Sequence, residues 1–189
     1  MIISLSGNMG SGKSTIAQML ADKLNWPRYY MGGLRREAAQ KRGLTLAEYN
    51  KLGETDINTD QEVDEYQREL GKKEDNFVIE GRTSWYLIPH SLKIYLDVDS
   101  EEGAKRIFGS LQHKNNRNEG NNLKTWQDVL ASNKERMASD IKRYRQYYNI
   151  DVYDKKNYDF CLDTTNLTPK EVFSAVFKVV QERLDNTKN

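Results

Sequence analysis

Near the start of the chain, GNMGSGKST sets glycines at positions 7, 10 and 12 around small polar residues and ends on a lysine and two hydroxyls. The spacing G-x-x-x-x-G-K-[ST] is met at Gly7, Gly12, Lys13 and Ser14. Glycines let successive N–H groups turn inward around a polyphosphate, and a helix starting at Lys13 would aim its positive end at the same place. The chemistry this implies is the holding of ATP by Gly7, Asn8, Met9, Gly10, Ser11, Gly12, Lys13, Ser14 and Thr15. Lys13 would reach the β- and γ-phosphates, and Ser14 would take a Mg²⁺ ion. A dinucleotide loop is excluded, because the glycine order is G-x-x-G-x-G and no acid ends a second strand.

The flanks have the form this loop needs. The apolar run Met1, Ile2, Ile3 and Leu5 predicts a strand before it, and Ile16, Leu20 and Leu24 recur at helical spacing after it. Phe77, Val78 and Ile79 predict a buried strand that ends on Glu80, where a carboxylate would assist Ser14 in holding Mg²⁺. Neither an N-K-x-D nor a D-x-x-G motif is present, which counts against a GTPase. Further strands are predicted in WPRYYM, in KIYLDV (93–98) and in NYDFCLD. Helices are predicted over 34–41, stopped by Gly43; over 45–52, boxed by Thr45 with Glu48 and closed by Gly53; and over 59–70, boxed by Thr59 with Glu62 and closed by Gly71. Ser100 would cap a helix to about Leu111, a long helix is expected over 125–148, and Thr168, Pro169 and Glu171 would open a last one. The segment from Gln112 to Asn122 has no apolar residue and reads as a mobile loop. Strands alternating with helices predict an α/β fold with a parallel sheet covered on both faces.

Longer stretches narrow the reading. GGLRREAAQKRGLTLAEYNKL, NTDQEVDEYQREL, EGR at Glu80 to Arg82, RMASDIKR and RYRQYYNIDVYDKKNYDFCLDTT stand in this order. Together they resemble the nucleoside monophosphate kinases of the P-loop superfamily, and within them the cytidylate kinases, over nearly the whole chain. The resemblance implies a P-loop kinase three-layer sandwich of one domain, with a core at 1–32, 72–111 and 150–189. A helical insertion at about 33–71 would bind the acceptor nucleotide, and a mobile lid would occupy about 112–149. It also implies transfer of the ATP γ-phosphoryl to CMP, and to dCMP, with Mg²⁺. Arg36 and Arg82 are similar to arginines that clamp the acceptor phosphate, and Arg136, Asp140 and Arg143 reproduce the spacing R-x-x-x-[DE]-x-x-R of the lid helix. Cations there would close over the transferring phosphoryl, so Lys13, Arg82, Arg136 and Arg143 are the expected catalytic residues. Gly33 stands where many relatives have an acid, Thr83 follows GR where one branch has a base-reading Asp, and Ser110 replaces an arginine. Asp60, Asp64 and Gln67 recur along one helical face and could read a base, or could form a solvated face opposite Val63 and Leu70. Arg106 is similar to an arginine beside the donor base. His90 and His113 read as bystanders, Tyr144, Tyr147 and Tyr148 as packing residues, and Cys161 as a buried strand residue.

Bulk properties bound these readings. A chain of 189 residues suits one domain, and 29 Lys+Arg against 28 Asp+Glu leaves a net charge of +1, with no global field for nucleic acid or a membrane surface. One cysteine allows no internal disulfide, the N-terminus has no signal-peptide pattern, and no apolar run approaches the ~20 residues of a bilayer span. A cytoplasmic protein, acting as a monomer on small nucleotides, is expected. The alternatives are another small-acceptor kinase, such as an adenylate or uridylate kinase, and a regulatory protein that holds ATP without turnover.

Overall fold

Period-2 patterning builds the sheet. In a strand successive side chains point to opposite faces. The computed structural model describes residues 1–112 and 123–186. Its strands are β1 (Ile2–Gly7), β2 (Arg28–Tyr30), β3 (Phe77–Glu80), β4 (Leu92–Asp97) and β5 (Phe160–Asp163). All neighbours pair in parallel, in the order β2-β3-β1-β4-β5. The helices are α1 (Lys13–Leu24), α2 (Met31–Lys41), α3 (Leu46–Gly53), α4 (Asn58–Lys73), α5 (Ser84–Leu87), α6 (Ser100–Leu111), α7 (Trp126–Tyr148) and α8 (Pro169–Asn186).

On one face Ile3, Leu5, Val78, Ile94 and Leu96 pack against Ile16 and Leu20 of α1 and against Val172, Val176 and Val180 of α8. On the other, Ile2, Phe77 and Ile79 meet Met31, Leu70 and Ile88. Helices on both faces of a parallel sheet are the three layers expected from the alternation of strands and helices. A third cluster, Met9 with Ala104, Ile107 and Val129, ties α6 and α7 to the glycine loop. Between β2 and β3 the chain inserts α2, α3 and α4, which carry much of the polar middle of the sequence.

Several local expectations are corrected. α2 begins at Met31, three residues earlier than the apolar pattern suggested, so Gly32 and Gly33 lie in its first turn. α4 begins at Asn58, whose N–H is taken by the Asp56 carboxylate at 3.0 Å, and Thr59 is therefore inside the helix rather than its cap. Gly71 does not stop α4. It is small because Ile88 packs there: a Cβ would lie 2.9 Å from Ile88 Cγ1. Asp99 rather than Ser100 caps α6, accepting from the N–H of Glu101 at 2.9 Å and of Glu102 at 3.0 Å. The capping box of Thr45 with Glu48 forms as predicted. The short α5 and a 3₁₀ turn at Lys155–Asn157 had no periodic signal to announce them. Cys161 is exposed, because β5 is an edge strand whose Phe160 and Leu162 take the inner positions. His90 is exposed beyond α5, whereas His113 and the expected loop beyond Gln112 lie outside the described residues.

Leu20 is fully buried between β1, α1 and α8. Leu20→Ala is expected to cost about 2–5 kcal/mol, read as a lower midpoint of urea unfolding with an unchanged slope. An unshifted midpoint would remove α1 from this core.

Candidate active site

The phosphate loop is held on both sides. Gly7 ends β1 at φ +139°, where a Cβ would be driven into the Leu96 carbonyl, and Gly12 opens α1 at φ +85°, a conformation only glycine adopts without strain. Asn8 is pinned to β4, its amide donating to Asp97 Oδ1 at 2.5 Å and its carbonyl oxygen accepting from Tyr95 Oη at 2.8 Å. Lys13 Nζ donates to the carbonyls of Gly7 at 2.9 Å and Asn8 at 2.5 Å and thus spans the loop. Ser14 Oγ donates to Glu80 Oε2 at 2.7 Å. Arg28, which the sequence did not single out, also binds Glu80, its Nε at 2.9 Å from Oε1.

A hydroxyl and a carboxylate at this separation are hard oxygen donors, and they fit Mg²⁺. Among the described residues no cluster of three His, Cys, Asp or Glu groups could hold a metal, so phosphates and water would supply the remaining ligands.

One cavity of about 140 Å³ brings Lys13, Ser14 and Glu80 face to face with Arg36, Arg82 and Arg136. Three segments distant in sequence therefore converge on the loop. Tyr30 lines the same space. Its ring lies against the guanidinium groups of Arg28 and Arg36, and its hydroxyl accepts from Arg36 Nη1 at 2.5 Å. A Cβ at Gly33 would meet that ring at 2.8 Å, which accounts for glycine where an acid might stand.

Arg143 is not in this cavity. It is 0% exposed, Asp60 and Asp140 are each 2% exposed, and the three are ion-paired: Arg143 Nη1 lies 2.5 Å from Asp60 Oδ2, and Nη2 2.5 Å from Asp140 Oδ1. Arg35 extends the row from α2 through Nη1 to Asp60 Oδ1 at 2.5 Å. Arg82 closes it through Nε to Asp140 Oδ2 at 2.6 Å, where Tyr153 Oη also donates at 2.9 Å. Gly53 leaves room for the row, since a Cβ there would lie 2.9 Å from Arg143 Cδ and 3.2 Å from Arg35 Nη2. Burial pushes the Asp140 carboxyl up, but Arg82, Arg143 and Arg136 outweigh it and hold the group below the usual carboxylate range. Seven residues along α7 amount to about 10 Å of rise. Arg136 thus reaches the phosphate loop while Arg143, on the same side of the helix, lies beneath α4. Arg35 carried a legible signal: it falls on the i, i+4 stripe of buried Met31 and Ala39, and a core arginine needs a buried acid.

Asp60, Asp64 and Gln67 are buried, so the face they share is not solvated. Asp60 serves the arginines. Asp64 and Gln67 meet the segment after Arg82 instead: Thr83 Oγ1 donates to Asp64 Oδ1 at 3.0 Å, and Ser84 Oγ to Gln67 Oε1 at 2.6 Å. Tyr148 Oη donates to Asp64 Oδ2 at 2.6 Å, a role beyond the packing expected of it. Burial drives the Asp64 carboxyl above its ordinary range, and the bonds from Tyr148 and Thr83 offset that only in part. Behind the loop a second cavity, about 380 Å³, is lined by Gly10, Thr15, Arg106, Thr164 and Leu167. Arg106 is fixed there by the carbonyls of Thr164 at 2.8 Å and Thr165 at 2.9 Å.

Comparison with known proteins places the chain among named relatives. The chain is 37% identical over 182 residues to a cytidylate kinase of Natronomonas pharaonis, covering 95% of this chain and 89% of that one. It is 34% identical to a cytidylate kinase of Methanocella arvoryzae, covering 96% and 98%. A shikimate kinase structure from Bacteroides thetaiotaomicron superposes with a TM-score of 0.62 over 98% of both chains at 16% identity, a likeness of fold alone. Residues 2–166 match the cytidylate kinase-like family. By that match and by these relatives over most of its length, the chain belongs to the cytidylate kinase-like family.

Proposed function

We propose that this protein transfers the γ-phosphoryl of ATP to CMP, and to dCMP, giving the diphosphate and ADP. The observation that carries the reading is the single cavity in which Lys13, Ser14 and Glu80 face Arg36, Arg82 and Arg136. A protein that merely held ATP would need only the first three. Two phosphate groups, each bearing about two negative charges, must be brought together, so cations must neutralise them while water is kept out.

Lys13 draws charge from the β- and γ-phosphates, Arg36 and Arg82 orient the acceptor phosphate, and Arg136 covers the group in transit. Asp140, with Arg143 behind it, aims Arg82. The acceptor oxygen is already ionised, so no protein base is needed. Ser14 and Glu80 would hold Mg²⁺, which when bound neutralises phosphate charge. The insertion α2–α4 is the acceptor-binding part, and Asp64 and Gln67 are its base readers: a carboxylate accepts from the N4 amino group of cytosine and repels O4 of uracil. We read the chain as a cytoplasmic monomer, on its near-zero net charge and single cysteine.

In assays with ATP and Mg²⁺, CMP is expected to be the best of the common nucleoside monophosphates. A preference for AMP or UMP would reject the acceptor assignment. Lys13→Ala should lower kcat by about 10²–10³-fold in a protein that still folds, and near-normal turnover would reject the role of the loop lysine. The raised Asp64 carboxyl predicts a pH effect on selectivity. As pH falls through its titration, above the ordinary aspartate value of about 4, the group changes from acceptor to donor, and the ratio of kcat/KM for CMP to that for UMP should fall. Phosphate ionisation is common to both substrates and cancels in the ratio. A ratio that stays flat through the acid limb counts against Asp64 as reader.

A further inference from the structure

The surroundings of Asp64 divide into a fixed part and a movable part. Oδ1 accepts from Thr83 Oγ1 at 3.0 Å and from Gln67 Nε2 at 3.1 Å, and Gln67 is itself held by Ser84. Thr83, Ser84 and Gln67 are all buried, on α4 or directly behind β3, and have no room to withdraw. Oδ2 differs. Among the described residues its donor is Tyr148 Oη, at 2.6 Å. Tyr148 is half-buried on the last turn of α7, just before Asn149 turns left-handed at φ +54°. Its ring is tilted against Tyr86, which is 39% exposed, at 5.7 Å between centroids, and the Arg68 guanidinium lies 5.9 Å from it on the outside. A phenol is a flat ring with one O–H donor. The amino edge of cytosine is a flat ring with N–H donors.

We propose that Tyr148 is an internal stand-in for the acceptor base, holding Asp64 Oδ2 until the cytosine amino group displaces it, and that this exchange sets the affinity for CMP. The proposal rests on the reading of Asp64 as base reader. An acceptor that brings an amino group repays the displaced bond, whereas one that brings a carbonyl does not. The residue is thus a specificity determinant as well as a competitor of the substrate. Tyr86, already in contact with the ring and open to solvent, offers the surface on which the displaced ring can rest.

In Tyr148→Phe the ring and its packing remain, but Asp64 Oδ2 is without a donor until the base arrives. The KM for CMP should fall by roughly tenfold, the fall for UMP should be smaller, and the KM for ATP should not change. A tyrosine that merely supported the fold would instead raise KM for both substrates. An unchanged or raised KM for CMP overturns the proposal. A second measurement leaves the hydroxyl in place: 3-fluorotyrosine at position 148, followed by ¹⁹F NMR during titration with CMP alone, should shift as the ring moves. A resonance that does not respond to saturating CMP also overturns it. Asp64→Asn separates the two levels of the argument. If the preference for CMP over UMP survives that change, the base reading fails and this inference fails with it. If the preference narrows while both Tyr148 experiments give no response, the stand-in alone is rejected.

Discussion

The structure depends on a row of alternating charges withdrawn from water. Arg35, Asp60, Arg143, Asp140 and Arg82 come from α2, α4, α7 and the turn after β3, and each carboxylate lies between two guanidinium groups. Charges in such a place are costly to desolvate, and they persist because every member has a partner of opposite sign; removing one would strand its neighbours at a cost of about 3–5 kcal/mol. The row therefore constrains three parts of the chain at once. The insertion cannot shift against the long helix, nor the long helix against the turn that carries Arg82, without rearranging ion pairs.

From that constraint the placement of the cavity follows. Arg82 faces the phosphate loop because Asp140 and Tyr153 hold its Nε from behind. Arg136 faces it because α7 is fixed two turns further on by Arg143. Contacts between α3 and α7 reinforce the alignment, with Tyr147 Oη donating to the Gly53 carbonyl at 2.7 Å and Lys142 paired with Glu54 at 2.8 Å. Lys142 holds the Glu54 carboxyl down at about 2. On the donor side the sheet does the corresponding work. Glu80, in register with Leu5 of β1, and Asn8, bonded to Asp97 of β4, each fix one flank of the loop.

Chemistry that depends on residues close in sequence was legible before the structure. The glycine loop, the strand before it and the helix after it lie within one short stretch, and Glu80 is marked by the three apolar residues that precede it. The capping box at Thr45, the opening of α8 at Thr168 to Glu171, and the burial of β1 and β3 were legible for the same reason. Helix limits set by tertiary packing were not. Gly71 looked like a stop and is a contact with Ile88, and Cys161 looked buried but belongs to an edge strand, a property that strand order alone decides.

The sequence by itself determined the strand, glycine loop and helix at its start and the alternation that yields a parallel sheet, because both are written in local spacing that the backbone must obey. Only the tertiary structure decided which arginines face the glycine loop. Arg35 and Arg36 are adjacent in sequence, as Arg136 and Arg143 are on one helical side, yet one of each pair lines the cavity and the other is buried against Asp60. A guanidinium is equally suited to a phosphate and to a carboxylate, so its residue type cannot say which it will meet. That choice is made by the helix that packs above it.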